Sequence, residues 1–318
     1  MARAPTIRGY IKDIVGFSPR IGPGELATYE YLKKRLNDAK VPFVDQVVDI
    51  TVPLTKKVEL VADGESIDCR GVGRESGVIE GKDHLISSLM WGNDDFYHPA
   101  NINFDPRCEK TVSMATFFKH TAIAINKYDL SKILAATDVR GEVVVEPYNF
   151  QSHNLLVGNL TNPKTIVFTH YDCWETGAID NASGTATVLD VVITEPRLLR
   201  ENLFVITGNE EISYDEPIFW GKGYRRFQEE HESLMEGAKR LLVVDCVGYS
   251  ETHLDTGENL CNAFPINNYE RFRAKTALLC GSWDFLIGIC YSAADDLSNF
   301  TDEYIEQARA RLVAELSG

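Results

Sequence analysis

From about Asn154 onward the chain repeats one rhythm, a short apolar run followed by an acidic or glycine-containing loop and then a helix-length segment. TIVFTHYD, NLFVITGNEE and LLVVDCVG are the apolar runs, with a helix after Asn181 and a polar helix between them. Strands that alternate with helices in this way form a mainly parallel sheet covered on both faces. The spacing therefore predicts an α/β fold, a mainly parallel mixed sheet flanked by helices.

The rest of the chain reads differently. Ile7, Ile11, Ile14 and Val15, and then Leu26, Tyr29, Leu32 and Leu36, recur at helical spacing and predict two amphipathic helices. The segment FSPRIGPGE from Phe17 to Glu25 concentrates Pro and Gly between them and reads as a turn. From Val41 to Leu54 β-branched residues become dense, and the region beyond, to about Glu146, mixes short strand-like runs such as GEVVVEPY with glycine-rich turns. Helical patterning there is confined to about Asp129 to Ala136. The expected organisation is one domain made of residues 1–54 and 149–318, interrupted by an inserted α+β domain over 55–148.

A chain of 318 residues, 44% of them hydrophobic, exceeds the usual ~100–200 residues of one domain and can bury a substantial core. Its net charge of -15 repels phosphate backbones and anionic membrane surfaces, so nucleic acid and membrane are excluded as partners and an amine-bearing ligand is favoured. The longest apolar runs, such as Leu241 to Val244, are strand-sized, and the N-terminal residues lack signal-peptide character. Seven scattered cysteines without a CxxC pair read as reduced thiols. A cytoplasmic protein is expected.

In an open parallel sheet, functional groups collect at the carboxyl ends of the strands. His170 and Asp172 end the first apolar run, Asp180 opens the next loop, Glu210 and Glu211 end the second run, and Asp245 ends the third. Imidazole nitrogen and carboxylate oxygen are the ligand types of a divalent metal such as Zn²⁺, which also accepts a water. Asp172, two residues past His170, is placed to orient the imidazole. In the Glu210–Glu211 pair, one carboxylate can bind metal while its neighbour faces the bound water. Each residue has a plainer reading. A lone strand-end histidine is usually only hydrogen-bonded, Asp180 with Asn181 and Ser183 makes a helix cap before GTATVLDVV, and paired glutamates often form a solvated loop. Asp245 after LLVV is harder to explain, because a buried carboxylate is costly unless paired or coordinated.

HYD at His170 to Asp172, AIDNASG at Ala178 to Gly184, NEE at Asn209 to Glu211 and VDCVG at Val244 to Gly248 resemble, in order, the motifs of the co-catalytic zinc aminopeptidases. The resemblance extends to SPRIGPGE and to SHNLLVGNL, and the inserted region is similar to a protease-associated domain. It implies a zinc-exopeptidase fold holding one or two zinc ions. His170 and Asp245 would be ligands of one metal, Asp180 a bridge and Glu211 a ligand of the second, with Glu210 as general base and Asp172 beside it in the catalytic set. The implied activity is removal of N-terminal residues from peptides with a free N-terminus.

The chain departs from the family at its closing motif, where the expected histidine aligns with Ser292, which takes a nitrogen ligand from the second metal. His253, Tyr291 and Cys290 are the possible substitutes. The glycine-serine expected after the paired glutamates is displaced by SYDEPIFWGKG. Two other functions stay open: a peptide-binding protein with a weakened or inactive site, and a glutaminyl-cyclase-like enzyme.

Overall fold

The computed structural model describes residues 6–88, 97–257 and 260–318. These pack as two compact units, one within Met1–Ile50, Asn149–Ser282 and Asp296–Gly318, the other within Thr51–Tyr148 and Trp283–Asp295.

The larger unit opens with α1 (Ile7–Val15), whose first turn is capped by the Thr6 hydroxyl accepting from the Gly9 amide, and which buries Ile7, Tyr10, Ile11 and Ile14. After the FSPRIGPGE turn, α2 (Pro23–Asp38) starts on a proline, whose missing N–H costs nothing in a first helical turn. Its buried face runs through Glu25, Thr28, Tyr29, Leu32 and Leu36. Leu26, expected on that face, lies one residue round the helix and is half-exposed, and a glutamate takes the inner position.

The sheet has β1 (Val44–Ala62), β2 (Val139–Gly158), β3 (Thr165–His170), β4 (Asn202–Thr207), β5 (Arg240–Val244), β6 (His253–Asp255) and β7 (Thr276–Cys280) in the order β6-β7-β5-β3-β4-β2-β1. β7, β5, β3 and β4 are mutually parallel, and β6 and β2 join them antiparallel, which makes the sheet mixed. The four parallel strands are buried along nearly their whole length, which is why their sequences read as continuous apolar runs.

Successive strand residues point to opposite faces. Thr169 of β3 meets Asn181 just ahead of α3 (Gly184–Thr194), while Phe168 packs its ring against Tyr224 and Phe227 of α4 (Lys222–Gly237) and against Phe264. Helix α3 packs with α1 and with α5 (Asp302–Ser317), and Arg309 of α5 donates to Asp190 of α3 at 2.7 Å. Among the described residues, no helix is long and apolar enough to cross a membrane.

The second unit contains a four-stranded sheet in the order Cys69–Gly71, Ala122–Ile125, Asn101–Phe104, Leu85–Ser87, with the helix Leu130–Ala135. Leu60, Ile79, Ile102, Ile123, Ile133 and Val143 form its core. Its boundaries at 50/51 and 148/149 fall inside β1 and β2. The segment Trp283–Asp295, read from sequence as part of the larger domain, packs with this unit. The Met114 amide donates to the Tyr291 carbonyl at 2.9 Å and the Ser113 hydroxyl to the Cys290 carbonyl at 3.2 Å.

The aromatic cluster around fully buried Phe168 anchors α4 to the sheet. Phe168→Ala is expected to cost about 3–5 kcal/mol, read as a lower midpoint in chemical denaturation; a loss under about 1 kcal/mol would show that the cluster closes over the cavity.

Candidate metal centre

The winding of the sheet creates the site. β4 and β5 flank β3 on opposite sides, so the chain leaves β3 in one direction and crosses back over it in the other, which opens a crevice at the carboxyl ends of these strands. In register, His170 at the end of β3 lies beside Thr207 at the end of β4. Asp245 follows β5 directly, and its amide still donates to Leu279 of β7 at 3.1 Å. Glu210 and Glu211 follow β4 after Asn209, which adopts a left-handed backbone with φ 52°.

His170, Asp180, Glu210, Glu211, Asp245 and Asp172 are all brought together here, each buried. Nε2 of His170 lies 3.2 Å from Asp180 Oδ1 and 3.6 Å from Asp245 Oδ1. One donor atom each from His170, Asp180 and Asp245 falls within a 4.8 Å group, as does one each from His170, Glu210 and Glu211. Asp172 does something its spacing did not reveal: Oδ1 accepts the Glu210 amide at 3.0 Å and Oδ2 the Glu211 amide at 2.9 Å. Both oxygens are thereby committed to the glutamate pair. The approach of Oδ1 to His170 Nδ1 is 3.4 Å, and that buried nitrogen has no hydrogen-bond partner.

Asn181, read from sequence only as one of three cap candidates, and Glu25, not singled out, are structural parts of the centre. The Asn181 amide donates to Thr169 Oγ1 and the Val244 carbonyl, both at 3.1 Å, and its oxygen accepts from the Gly184 and Cys246 amides at 3.0 and 3.3 Å. One side chain thus ties the ends of β3 and β5 to the start of α3. Asn181 also supplies the cap that the sequence divided among Asp180, Asn181 and Ser183. A Cβ on Gly184 would lie 2.3 Å from the Asn181 oxygen, so only glycine fits there. Glu25 of α2 accepts from the Ser152 hydroxyl and lies against Gly208, just before the glutamate pair. Burial, then the charge of Asp172, pushes its carboxyl well above the ordinary value. The only signal for Glu25 was its place in SPRIGPGE.

Ser292 is fully buried in the second unit, where its hydroxyl donates to the Ile289 carbonyl at 2.6 Å and accepts from the Ala294 amide at 3.2 Å. His253 is exposed on β6, with Nε2 3.9 Å from Cys280 Sγ, and belongs to neither donor group. The SYDEPIFWGKG loop closes on itself: the Ser213 amide and hydroxyl both donate to the Phe219 carbonyl, at 2.6 and 2.9 Å. Gly223 takes the position of close approach, since a Cβ there would lie 2.0 Å from the Gly208 carbonyl oxygen.

Electrostatics point to a cation. Burial, reinforced by the charges of Asp172, Asp245 and Asp180 and opposed by His170, pushes Glu210 well above the usual carboxylate range. Burial and then the charges of Asp180 and Glu210 do the same to Glu211. Burial alone would lower the His170 pKa, but Asp245, Asp172 and Asp180 around it raise it well above its ordinary value. Glu211 Oε1 is buried with no hydrogen-bond partner. Five carboxylates around one imidazole, with an orphaned buried oxygen among them, fit a divalent ion with mixed nitrogen and oxygen ligands.

These shifts set the sign of a pH effect on the metal-free protein. Groups whose folded pKa is raised bind more protons folded than unfolded, so stability falls as pH rises from the ordinary carboxylate and imidazole values towards the folded ones. Chelator-treated protein is expected to melt at progressively lower temperature from about pH 5 to about pH 8, and the Glu210→Gln, Glu211→Gln double variant to show a flatter profile. A wild-type melting temperature that rises over this interval would contradict the assigned shifts.

No protein-family model and no curated protein matches the chain, but many solved structures do. A zinc aminopeptidase from Bacillus subtilis aligns over 97% of this chain and 93% of its own, at 14% identity and a TM-score of 0.65. An aminopeptidase from Aneurinibacillus sp. aligns over 95% and 90% respectively, at 15% identity and a TM-score of 0.58. A glutaminyl cyclase from Porphyromonas gingivalis aligns over 98% and 96%, at 11% identity and a TM-score of 0.50. At these identities the likeness is one of architecture: the chain has the zinc-exopeptidase type of α/β fold, a central mixed sheet flanked by helices.

Proposed function

We propose that the protein is a metal-dependent aminopeptidase that removes N-terminal residues from peptides. The observation that carries this reading is the meeting of His170, Asp180, Glu211 and Asp245 with a further buried carboxylate, Glu210, at three adjacent strand ends. The first four would hold zinc or a similar divalent ion, with His170 and Asp245 on one ion, Asp180 bridging and Glu211 on a second. A zinc ion bound there supplies Lewis-acid polarisation of a scissile carbonyl and lowers the pKa of a water. Glu210, the buried carboxylate left outside that ligand set, would accept a proton from a water and return it to the leaving amine. Asp172, through the two backbone amides it accepts, keeps Glu210 and Glu211 in their separate roles. The carboxylate-rich surroundings favour the ammonium group of a free N-terminus.

With serine at position 292, a second ion would lack the nitrogen ligand that the resemblance places there and would be held more weakly than the first. A glutaminyl-cyclase activity is the second reading, favoured by the matching fold of such an enzyme. A panel of aminoacyl amides and N-terminal glutaminyl peptides separates the two. Absence of turnover on all of them with divalent metal restored would point to a binding protein on this scaffold.

Glu210→Gln is expected to keep its metal and to lose about 10²–10⁴-fold in turnover, because the amide is near-isosteric but accepts no proton. Wild-type turnover in a fully loaded variant would remove Glu210 from its role.

A further inference from the structure

The turn between α1 and α2 delivers a cation to the centre of the larger unit. Arg20 is fully buried, and none of its hydrogen-bond partners is a carboxylate. Its guanidinium spends itself on the loop that joins His170 to Asp180. Nε donates to the Tyr171 carbonyl at 2.6 Å, Nη1 to the Thr176 carbonyl at 3.0 Å, and Nη2 to the Gly177 carbonyl at 2.8 Å. Nη1 also donates to the Ser18 hydroxyl at 2.7 Å, and that hydroxyl donates to the same Thr176 carbonyl at 2.7 Å. The Arg20 backbone pairs with Cys173 in both directions, at 3.1 and 3.3 Å.

The contacts thus begin one residue after His170 and end three residues before Asp180. The loop is folded tightly at that far end: Gly177 has φ +55°, and a Cβ there would lie 2.4 Å from both the Asp180 carbonyl oxygen and Cys173 Cβ. Held by one rigid planar fork, the two ends of the loop keep a fixed separation. A lysine ammonium, a point charge on a flexible stem, lacks that geometry.

We propose that Arg20 is a positioning residue of the metal centre: its guanidinium fixes the loop between His170 and Asp180, and so the separation of these two residues. The inference rests on the metal-dependent reading above for its consequence, though not for its geometry. Arg20 touches neither metal nor substrate and acts through the loop backbone. Without it, the Tyr171, Thr176 and Gly177 carbonyls each lose a charge-assisted partner, and the Thr176 carbonyl keeps the Ser18 hydroxyl at 2.7 Å and the longer Cys173 thiol contact at 3.7 Å.

The test uses the full chain with Arg20→Lys and Arg20→Met, read in two ways. In metal-free protein, amide hydrogen exchange is expected to quicken over residues 171–182 in both variants, with the strands β3, β4 and β5 protected as in the wild type. In calorimetric titration, zinc affinity is expected to fall about 10–100-fold, less for lysine than for methionine, as for other groups that orient ligands from behind. Unchanged exchange over 171–182 would overturn the proposal. So would wild-type zinc affinity in both variants, or loss of protection across the whole sheet, which would make Arg20 a general core residue. A wild-type protein that binds no zinc would refute the metal-dependent reading instead, and the exchange result would still decide whether Arg20 holds the loop.

Discussion

Like charges held close together in a buried site resist ionising together, and that constraint organises this molecule. Asp172, Asp180, Glu210, Glu211 and Asp245 surround His170 at the ends of β3, β4 and β5, all shielded from solvent. With no cation beyond the imidazole, burial and mutual repulsion push Glu210 and Glu211 towards their neutral forms. A divalent ion reverses that preference, because its charge offsets the repulsion and its coordination sphere uses the lone pairs that lack protein donors. The cluster is costly as a purely structural feature and economical as a binding site.

Hydrogen bonds within the protein hold the backbone around these groups. The loops that leave the strand ends are tied by buried side chains that hydrogen-bond across from neighbouring segments. Asn181 joins two strand ends to a helix start, Asp172 grips the backbone of the glutamate pair, and Arg20 spans the loop before Asp180. The Cys246 thiol donates to Asp245 Oδ1 at 3.1 Å. Preorganisation of this kind is what lets a site bind metal without first ordering its ligands.

The parallel sheet and the donor cluster were legible because they rest on short-range chemistry. Apolar runs buried on both faces have to be central strands, and polar groups that follow them have to fall on one edge of the sheet. Glu25 and Arg20 were hidden for the opposite reason. A charged residue in a Pro- and Gly-rich turn looks solvated, and only contacts made about 150 residues away, at Tyr171 and Gly177 for Arg20, draw its charge inside. Asp172 reads as a partner of the imidazole because sequence places it two residues from His170, and its Oδ1 lies 3.4 Å from Nδ1; the strand pairing that carries the Glu210 and Glu211 amides to it is invisible at that range. Likewise, the segment around Ser292 reads as a continuation of the sheet-bearing domain, and its hydrogen bonds to Ser113 and Met114 in the second unit have no local signature.

The central claim, that the strand-end cluster is a cation site, is tested most directly by anomalous diffraction at the zinc absorption edge on crystals grown with zinc. The account predicts a strong anomalous peak bounded by His170 Nε2 and the carboxylates of Asp180 and Asp245, at distances of about 2.0–2.2 Å from its ligand atoms. A well-ordered site with no anomalous density between these three side chains would contradict it.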